Sequence, residues 1–287
     1  MESDLVERVR DFNRFYTERL GLLTDQYLDL DRPLGPARLL WEIGDRTPVR
    51  ELRDRLGLDS GYLSRLLRTL EDQGLVRVVP HPADGRARIA ELTDAGRAER
   101  GLLDQRSRAG VAALLGRLGP AEQNELVAAQ QQVRRLLRLA TVTITTVAAD
   151  DPRAWQCLRR YATELAERFP EGYDEATLTR PEELDGALLL ACERDRPAGC
   201  GVWVRLSPGV AEIRHLWIDT AARGLGLGRR LLDRLETDAA ARGVRTLRLG
   251  THSSLGEAIA LYRSSGYREI DGYSASPYNQ LCFEKRL

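Results

Sequence analysis

The spacing of apolar residues changes near residue 140, and this change constrains the fold more than any other feature of the sequence. Before that point, apolar side chains recur every three or four residues, which is the period of amphipathic helices. From Thr141 onwards, short β-branched runs alternate with helical stretches. The pattern predicts two domains, residues 1–140 and 141–287, in agreement with a usual domain length of roughly 150 residues.

Charge and hydropathy exclude several classes of protein. The 43 basic and 43 acidic side chains give a formal net charge of zero, which excludes a highly basic nucleic-acid coat protein but permits a local basic patch. The first residues are amphipathic and acidic and contain no signal-peptide core. No uncharged apolar run reaches the roughly 18 residues needed to cross a bilayer. We therefore expect a cytoplasmic protein without a membrane partner.

The cysteines do not indicate a metal site or a disulfide framework. All of them lie in the second half, far apart, and none belongs to a CxxC pair. We expect small buried side chains in a reducing compartment, and no bound metal. The residues are Cys157, Cys192, Cys200 and Cys282.

The first half reads as a series of helices. A second helix is predicted from about Ala37, a third from Pro48 to Gly57 and a fourth from Ser60 to Gly74. Two short helices joined by a tight turn that contains glycine are typical of a helix-turn-helix. The first helix is predicted from an apolar stripe formed by Leu5, Val9, Phe12, Tyr16, Leu20 and Leu23.

A β-hairpin is predicted after the fourth helix. Two β-branched runs flank the segment HPADGR, in which Asp84-Gly85 predicts the turn. Two long helices follow over about 93–117 and 120–140, separated at Gly119-Pro120. A helix-turn-helix followed by a hairpin constitutes a winged helix, a mainly-α fold.

Polar and basic side chains cluster on the fourth helix and the hairpin, where a winged helix contacts base edges and phosphates. The order of elements over residues 5–140 resembles the MarR family, with Asp84-Gly85-Arg86 in place of the usual Asp-Arg-Arg. The segment Leu92–Arg97 also resembles that family. The candidate DNA-binding residues are Ser60, Tyr62, Ser64, Arg65, Arg68, Arg86 and Arg88.

The resemblance to the MarR family implies binding of double-stranded DNA by a homodimer whose first and last helices form the interface. Gly85 replaces one arginine of the wing and so removes one expected phosphate contact. Two alternatives stay open. The arginines can be a solvated helical face, and the apolar stripes can pack only within the chain or onto the second domain.

A glycine-rich segment is the most informative feature of the second half, which is predicted as a mixed α/β sheet flanked by helices. The segment Arg223–Arg229 lies between a strand and an amphipathic helix. Glycines allow backbone N–H groups to converge at the positive end of a helix, where they bind anions. The sequence therefore predicts a pyrophosphate site.

A second motif, Leu261–Tyr267, follows about forty residues later. The two motifs together resemble the GNAT N-acetyltransferase superfamily over residues 141–287. The resemblance implies acetyl-CoA as acyl donor. It assigns binding of the pantetheine arm to Leu216, Trp217 and Ile218. It assigns binding of the pyrophosphate to Arg223, Gly224, Leu225, Gly226, Leu227, Gly228 and Arg229.

Acid and base groups follow from the same resemblance. Tyr262 occupies the place of the general acid, and a phenol with a pKa of about 10 keeps its proton at neutral pH. Glu212 resembles the family's base, although it can equally be a sheet-face charge near Arg214. His215 would point to the opposite face if the strand is regular. His252 stands near a position where many relatives carry asparagine, and serves either the cofactor or the substrate.

The acceptor is less determined. Residues 167–174 and 273–278 are expected to contribute, and Glu171, Tyr173 and Asp174 suit a small cationic amine as well as a plain surface loop. The sequence thus predicts a DNA-binding regulator joined to an acetyltransferase that acts on a small primary amine. The alternative is a regulator whose second half only senses an acyl-CoA or a metabolite. Acetylation of other proteins also stays open, whereas self-acetylation on lysine is limited to Lys285.

Overall fold

The computed structural model describes residues 2–21, 27–30, 32–274 and 276–287. The chain forms two compact units, Met1–Asn124 and Glu125–Leu287. The division falls inside the helix Pro120–Ala140. The boundary predicted from the sequence, at residue 140, coincides with the end of that helix.

The N-terminal unit contains the predicted helices and hairpin. The second helix begins at Leu34 rather than near Ala37, because Pro36 is tolerated in a first helical turn. The elements are α1 Glu2–Arg19, α2 Leu34–Glu42, β1 Arg46–Pro48, α3 Val49–Leu56, α4 Ser60–Asp72, β2 Val76–His81, β3 Asp84–Leu92, α5 Asp94–Leu115 and α6 Pro120–Ala140, which ends in the second unit.

The turn of the helix-turn-helix contains a glycine that ends one helix and a side chain that caps the next. Gly57 ends α3 in the left-handed region, at φ 65°, which glycine adopts without strain. Asp59 caps α4 by accepting the N–H of Tyr62 over 2.8 Å. Leucines of α2, α3 and α4 then form one buried core with Val76 and Leu92 of the hairpin. This core fixes α4 with its polar side exposed.

The hairpin differs from the prediction. The chain turns at Pro82-Ala83, and Asp84-Gly85 already belongs to β3, because His81 pairs directly with Asp84. A proline suits the first corner of a turn, and the additional residues that follow Asp84 bulge out of the ladder. The strand β1 joins the other side of β3 and was too short to predict from sequence.

The apolar stripe of α1 is exposed, as are several apolar side chains of α5 and α6. Leu23, the last residue of the predicted stripe, lies outside the described residues. No described side chain of α6 is buried. The exposed apolar residues of α1, α5 and α6 are Leu5, Val6, Val9, Phe12, Phe15, Tyr16, Leu102, Val111, Leu114, Val127, Val133, Leu136 and Leu137.

The C-terminal unit is a seven-stranded sheet with helices on both faces, as predicted. The strand order is β4-β5-β6-β7-β8-β10-β9, and only the β7–β8 pair is parallel. The elements are β4 Val142–Val147, α7 Pro152–Arg168, β5 Gly186–Glu193, β6 Arg196–Ser207, β7 Val210–Ile218, α8 Leu227–Ala241, β8 Thr246–Thr251, α9 Gly256–Ser264, β9 Arg268–Ile270 and β10 Leu281–Arg286.

Buried clusters lie on both faces of this sheet. Alternate residues of β5, β6 and β7 pack against α7, and the remaining alternate residues pack against α8 and α9. The four cysteines are free and buried. Cys157 and Cys200 belong to the α7 cluster, which agrees with the prediction that they are small core residues.

A bulge in β7 changes the direction of its side chains. Val202 pairs with Arg214 and Cys200 with Trp217, so β7 has one more residue than β6 between these pairs. His215 adopts a left-handed φ of 54° there. The expectation that His215 and Glu212 point to opposite faces held only for a regular strand. The bulge places His215 on the α7 face, which Glu212 shares.

The same strand separates from its parallel neighbour. The last pair between β7 and β8 is Ile213 with Leu249, yet β7 continues to Ile218. A cleft therefore opens between the carboxyl ends of the two strands.

Within the described ranges, no helix has both the length and the apolar character that a membrane span requires.

Candidate functional site

The glycine-rich loop offers a set of main-chain donors. The helix α8 begins at Leu227, and its N-cap is Gly226, at φ 86°, without a side-chain cap. Gly224 is also left-handed, at φ 74°. In the described part of the chain, the N–H groups of residues 224–229 donate to no acceptor. Unpaired amides at a positive helix end form an anion site.

The arginine at the start of the loop is held by the chain itself. Arg223 donates from Nη2 to both carboxylate oxygens of Glu164, over 2.7 and 2.5 Å, and from Nε to the carbonyl of Ile218 over 3.0 Å. Trp217 donates from Nε1 to the same carboxylate over 2.8 Å. Burial raises the pKa of Glu164, but the hydrogen bonds from Arg223 and Trp217 outweigh it and leave that pKa below its ordinary value.

Tyr262 is buried in α9, on the face of the sheet that also packs against α8. It belongs to the same buried cluster as Ile213 and Leu249, the last pair that joins β7 to β8. Burial raises the pKa of its phenol well above the ordinary value, so the hydroxyl keeps its proton. No group among the described residues hydrogen-bonds to this hydroxyl. The geometry leaves a protonated donor free for a ligand.

Glu212 is buried on the α7 face of β7, and both of its oxygens have partners. One oxygen, Oε2, pairs with Nε of Arg214 on the same strand. The other, Oε1, accepts the hydroxyl of Tyr273 over 2.7 Å. Burial and the Glu212 charge raise the pKa of Tyr273, which stays a donor. Each carboxylate oxygen has a second lone pair, so Glu212 retains capacity for a proton.

His215 is a packed, neutral residue. Its Nε2 accepts the N–H of Thr179 over 3.0 Å, and its ring meets Tyr161 edge-on at 5.6 Å. Burial, and to a smaller extent Arg214, lowers its pKa to about 3. A ring with this pKa has almost no affinity for a proton at neutral pH, which argues against a role as base.

His252 contacts the residues that were predicted for the acceptor. Its ring stacks on Phe169 with centroids 4.1 Å apart, and Nε2 lies 3.1 Å from Oε1 of Glu171. The other nitrogen, Nδ1, lies 2.7 Å from Oγ of Ser254. None of its contacts among the described residues is with the glycine-rich loop. Of the two roles left open by the sequence, these contacts favour the substrate side.

Aromatic rings from separate segments meet beside this histidine. Tyr173 lies 4.8 Å from Tyr278, and Tyr278 lies 5.7 Å from Phe169, between ring centroids. The hydroxyl of Tyr278 accepts the N–H of Asp174 over 2.9 Å. The structure thus joins the two predicted acceptor segments, 167–174 and 273–278. Phe169 lies within the predicted segment 167–174, whereas Tyr161 could not be singled out, because an aromatic residue at its spacing is usual in any core.

The predicted DNA-binding residues lie on the surface of the N-terminal unit. Arg68, Arg86 and Arg88 are exposed and form no ion pair with any described residue. The guanidinium of Arg65 lies over the ring of Tyr62, 5.7 Å from its centroid. Arg65 likewise has no carboxylate partner among the described residues, so these four charges are available to an anionic ligand. The remaining predicted residues, Ser60 and Ser64, are exposed on α4.

Known protein families match both halves of the chain. Residues 146–267 match the family model described as acetyltransferase (GNAT) family, and residues 28–87 match the model of the MarR family. An IAA acetyltransferase from Azospirillum brasilense is 35% identical over 118 residues, which cover 40% of this chain and 74% of that protein.

Solved structures are similar to each half. A GNAT family acetyltransferase from Elizabethkingia anophelis with acetyl-CoA bound is 20% identical, covers 51% of this chain and 99% of its own, and superposes with a TM-score of 0.40. Wild-type MarR from E. coli is 25% identical, covers 43% of this chain and 94% of its own, and has a TM-score of 0.38.

The predicted combination of families is therefore confirmed. No three His, Cys, Asp or Glu side chains of the described residues are grouped as metal ligands. The chain belongs to the GNAT acetyltransferase family through its C-terminal half and carries in its N-terminal half a MarR-like winged helix, of which residues 28–87 match the MarR family model.

Proposed function

We propose that this chain is a DNA-binding transcriptional regulator that also transfers the acetyl group of acetyl-CoA to the primary amine of a small molecule. One observation carries the enzymatic part of the proposal. The C-terminal unit contains both the unpaired amides of residues 224–229, in the loop after β7, and the free, protonated hydroxyl of Tyr262 in α9. A site that only bound a ligand would require the amides but not the acid.

The binding roles follow from the donors that the chain offers. Acetyl-CoA supplies an acetyl group already activated as a thioester. The amides of Gly224 through Arg229 hold the pyrophosphate, and the strand from Leu216 to Ile218 holds the pantetheine arm with main-chain groups that no longer pair with β8. Positioning the thioester beside the amine supplies much of the rate.

Proton transfers are assigned to two residues. Attack by the amine nitrogen forms the C–N bond and breaks the C–S bond. Tyr262, which burial keeps protonated until then, donates its proton to the departing sulfur, and the second proton that the nitrogen loses restores the phenol. Glu212 accepts a proton from the amine, either directly or through one water. The amine must lose this proton because an ammonium has no lone pair with which to attack the carbonyl.

The acceptor side is formed by the aromatic rings around Phe169 and Tyr278 together with Glu171 and His252. Aromatic faces and a carboxylate both attract an organic cation, which supports a small ammonium compound as the resting form of the acceptor. The N-terminal unit contacts double-stranded DNA through α4 and the hairpin. Its exposed apolar stripe on α1 supports a homodimer that covers this surface.

The enzymatic proposal is tested by thiol release from acetyl-CoA in the presence of amino acids, polyamines and amine-bearing antibiotics, each with a no-acceptor blank. Release above the blank with one class of amine supports a working enzyme and identifies its acceptor. If no amine of the panel causes thiol release although acetyl-CoA binds measurably, the enzymatic proposal is rejected in favour of the alternative, a regulator that senses acyl-CoA.

The DNA-binding proposal is tested on a promoter fragment of the protein's own gene. We expect the double variant R65A/R86A to lose binding in a mobility-shift assay, because both side chains lie on the exposed reading surface without carboxylate partners. The matched control is Arg108→Ala, an exposed arginine of α5 that pairs with Asp104. Retained binding by the double variant would show that the reading surface is elsewhere.

A further inference from the structure

The second half of α6 precedes the strand where the GNAT match begins, yet it contacts the glycine-rich loop. Arg135 donates from Nη1 to the carbonyl of Leu225 over 3.1 Å. Arg138 donates from Nη2 to the carbonyl of Ala221 over 3.0 Å. Residues three apart on a helix share a face, so both arginines reach the loop from one side.

The contact with Leu225 determines the direction of the next amide. In a trans peptide the C=O and the following N–H point in opposite directions, and the described chain contains no cis peptide. When Arg135 holds the carbonyl of Leu225, the N–H of Gly226 therefore points away from α6. That N–H belongs to the group of amides without an acceptor.

The contact with Ala221 secures the turn before the glycines. Arg138 is itself fixed by a bidentate pair with Glu193 at the end of β5, over 2.8 and 2.7 Å. The hydrogen bond with Glu193 raises the pKa of Arg138, and the same bond lowers the pKa of Glu193. In return, Arg230 of α8 donates to the carbonyl of Leu139 over 2.7 Å. The loop is thus attached to α6 on both of its sides.

We propose that Arg135 and Arg138 are positioning residues for the pyrophosphate of acyl-CoA: they hold the loop carbonyls so that the loop amides face the ligand. This inference rests on the proposed function of the loop. It makes residues 125–140 part of the acyltransferase, although they lie outside both family matches.

The test uses the full chain and isothermal titration with acetyl-CoA. We expect Arg135→Gln and Arg138→Gln each to weaken binding about tenfold, since each loses a charge-assisted hydrogen bond to the loop. Saturated turnover should stay near the wild-type rate, because neither residue contacts the reacting atoms. The matched control is Arg134→Gln, an exposed arginine of the same helix without a described partner.

A second donor separates positioning from general damage. S-acetyl pantetheine carries the thioester but no pyrophosphate, so its kcat/KM should be the same in wild type and in both variants. Equal losses with the two donors would overturn the inference, because the arginines would then serve only folding. Wild-type affinity for acetyl-CoA in the variants would overturn it as well. If the wild-type chain binds no acetyl-CoA, the proposed function fails first, and this inference fails with it.

Discussion

The main-chain N–H of Thr179 donates to Nε2 of His215, so this buried ring nitrogen carries no proton. Protonation would break the hydrogen bond and place a charge beside Tyr161 and Arg214. Burial is the main reason that the folded-state pKa is about 3, far below the ordinary value of about 6.5. The pair therefore links stability to pH.

We expect the free energy of unfolding to fall as the pH decreases from 6.5 towards 5. In that window the unfolded state binds a proton at His215 and the folded state does not, so acid favours unfolding. The slope from this residue approaches about 1.4 kcal/mol per pH unit. Urea denaturation at pH 5.0, 6.0 and 7.5, followed by tryptophan fluorescence, measures it.

The matched variant is His215→Asn. Asparagine tolerates the left-handed φ of 54° and can still accept the N–H of Thr179, but it does not titrate. Its stability should decrease less between pH 7.5 and 5.0 than that of the wild type. Equal pH slopes in the two proteins would contradict the assignment.

Tyr262→Phe should remove the proton that we assign to the departing thiolate. The substitution keeps the ring that packs near Tyr267 and Phe283, with centroids 6.0 and 6.1 Å away, so folding should be preserved. We expect kcat to drop by roughly 10² to 10⁴ and the affinity for acetyl-CoA to stay constant. Steady-state kinetics with titration of acetyl-CoA measures both. Unchanged kcat would reject the acid role.

Glu212→Gln should lower kcat, because the amide cannot accept a proton from the amine. Tyr273→Phe serves as the control, since it removes the hydrogen bond to Oε1 but keeps the carboxylate. We expect the control to retain most of the wild-type kcat in steady-state kinetics. If Glu212→Gln also retains the wild-type kcat, Glu212 is only an ion-pair partner of Arg214.

Gly226→Ala should weaken acetyl-CoA binding about tenfold. Alanine in the left-handed region costs about 1–2 kcal/mol, and relief of this strain would turn the N-cap of α8 away from its φ of 86°. The control is Gly256→Ala at the start of α9, where φ is ordinary and no atom lies within 4 Å of the added carbon. Calorimetric titration distinguishes them. Equal affinities for the two variants would contradict the role of the loop.

Gly85→Arg should strengthen DNA binding. Gly85 has an ordinary φ and nothing within 4 Å of an added Cβ, so an arginine fits on β3 without strain. One new phosphate contact per protomer is two per homodimer, which should make the dependence of log Kd on log salt steeper by about 1.8. Binding isotherms between 50 and 200 mM salt measure the slope. Gly85→Gln provides a neutral control of similar reach, and an identical slope for both variants would show that the wing does not reach phosphate.

Much of the fold could be predicted because local signals and tertiary structure agree. Gly57 and Asp59 fix the turn of the helix-turn-helix with contacts between neighbouring residues. The predicted position of the hairpin turn was wrong, because two turn signals lie within four residues of each other. The chain turns at Pro82 rather than at Asp84-Gly85. The bulge at His215 left no local mark, because it depends on how β6 pairs with β7.

The candidate site was predicted as far as its motifs extend. The loop amides and Tyr262 lie within short, recognisable segments. Contacts between distant segments could not be predicted, as with Glu164 and Arg223, which are 59 residues apart. The contact of Arg135 with Leu225 spans 90 residues, and nothing in the local sequence distinguishes Arg135 from Arg134.

The division of the chain inside α6 affects how the two halves can be separated. Proteases cut preferentially at exposed loops, and this junction is a helix in which the main chain is hydrogen-bonded. A gene fragment that began at the first strand of the sheet would encode the acyltransferase without Arg135 and Arg138. If these arginines position the loop as proposed, the functional acyltransferase domain starts before residue 135. Recombination at the predicted boundary, residue 140, would then produce an enzyme whose loop amides no longer face the pyrophosphate.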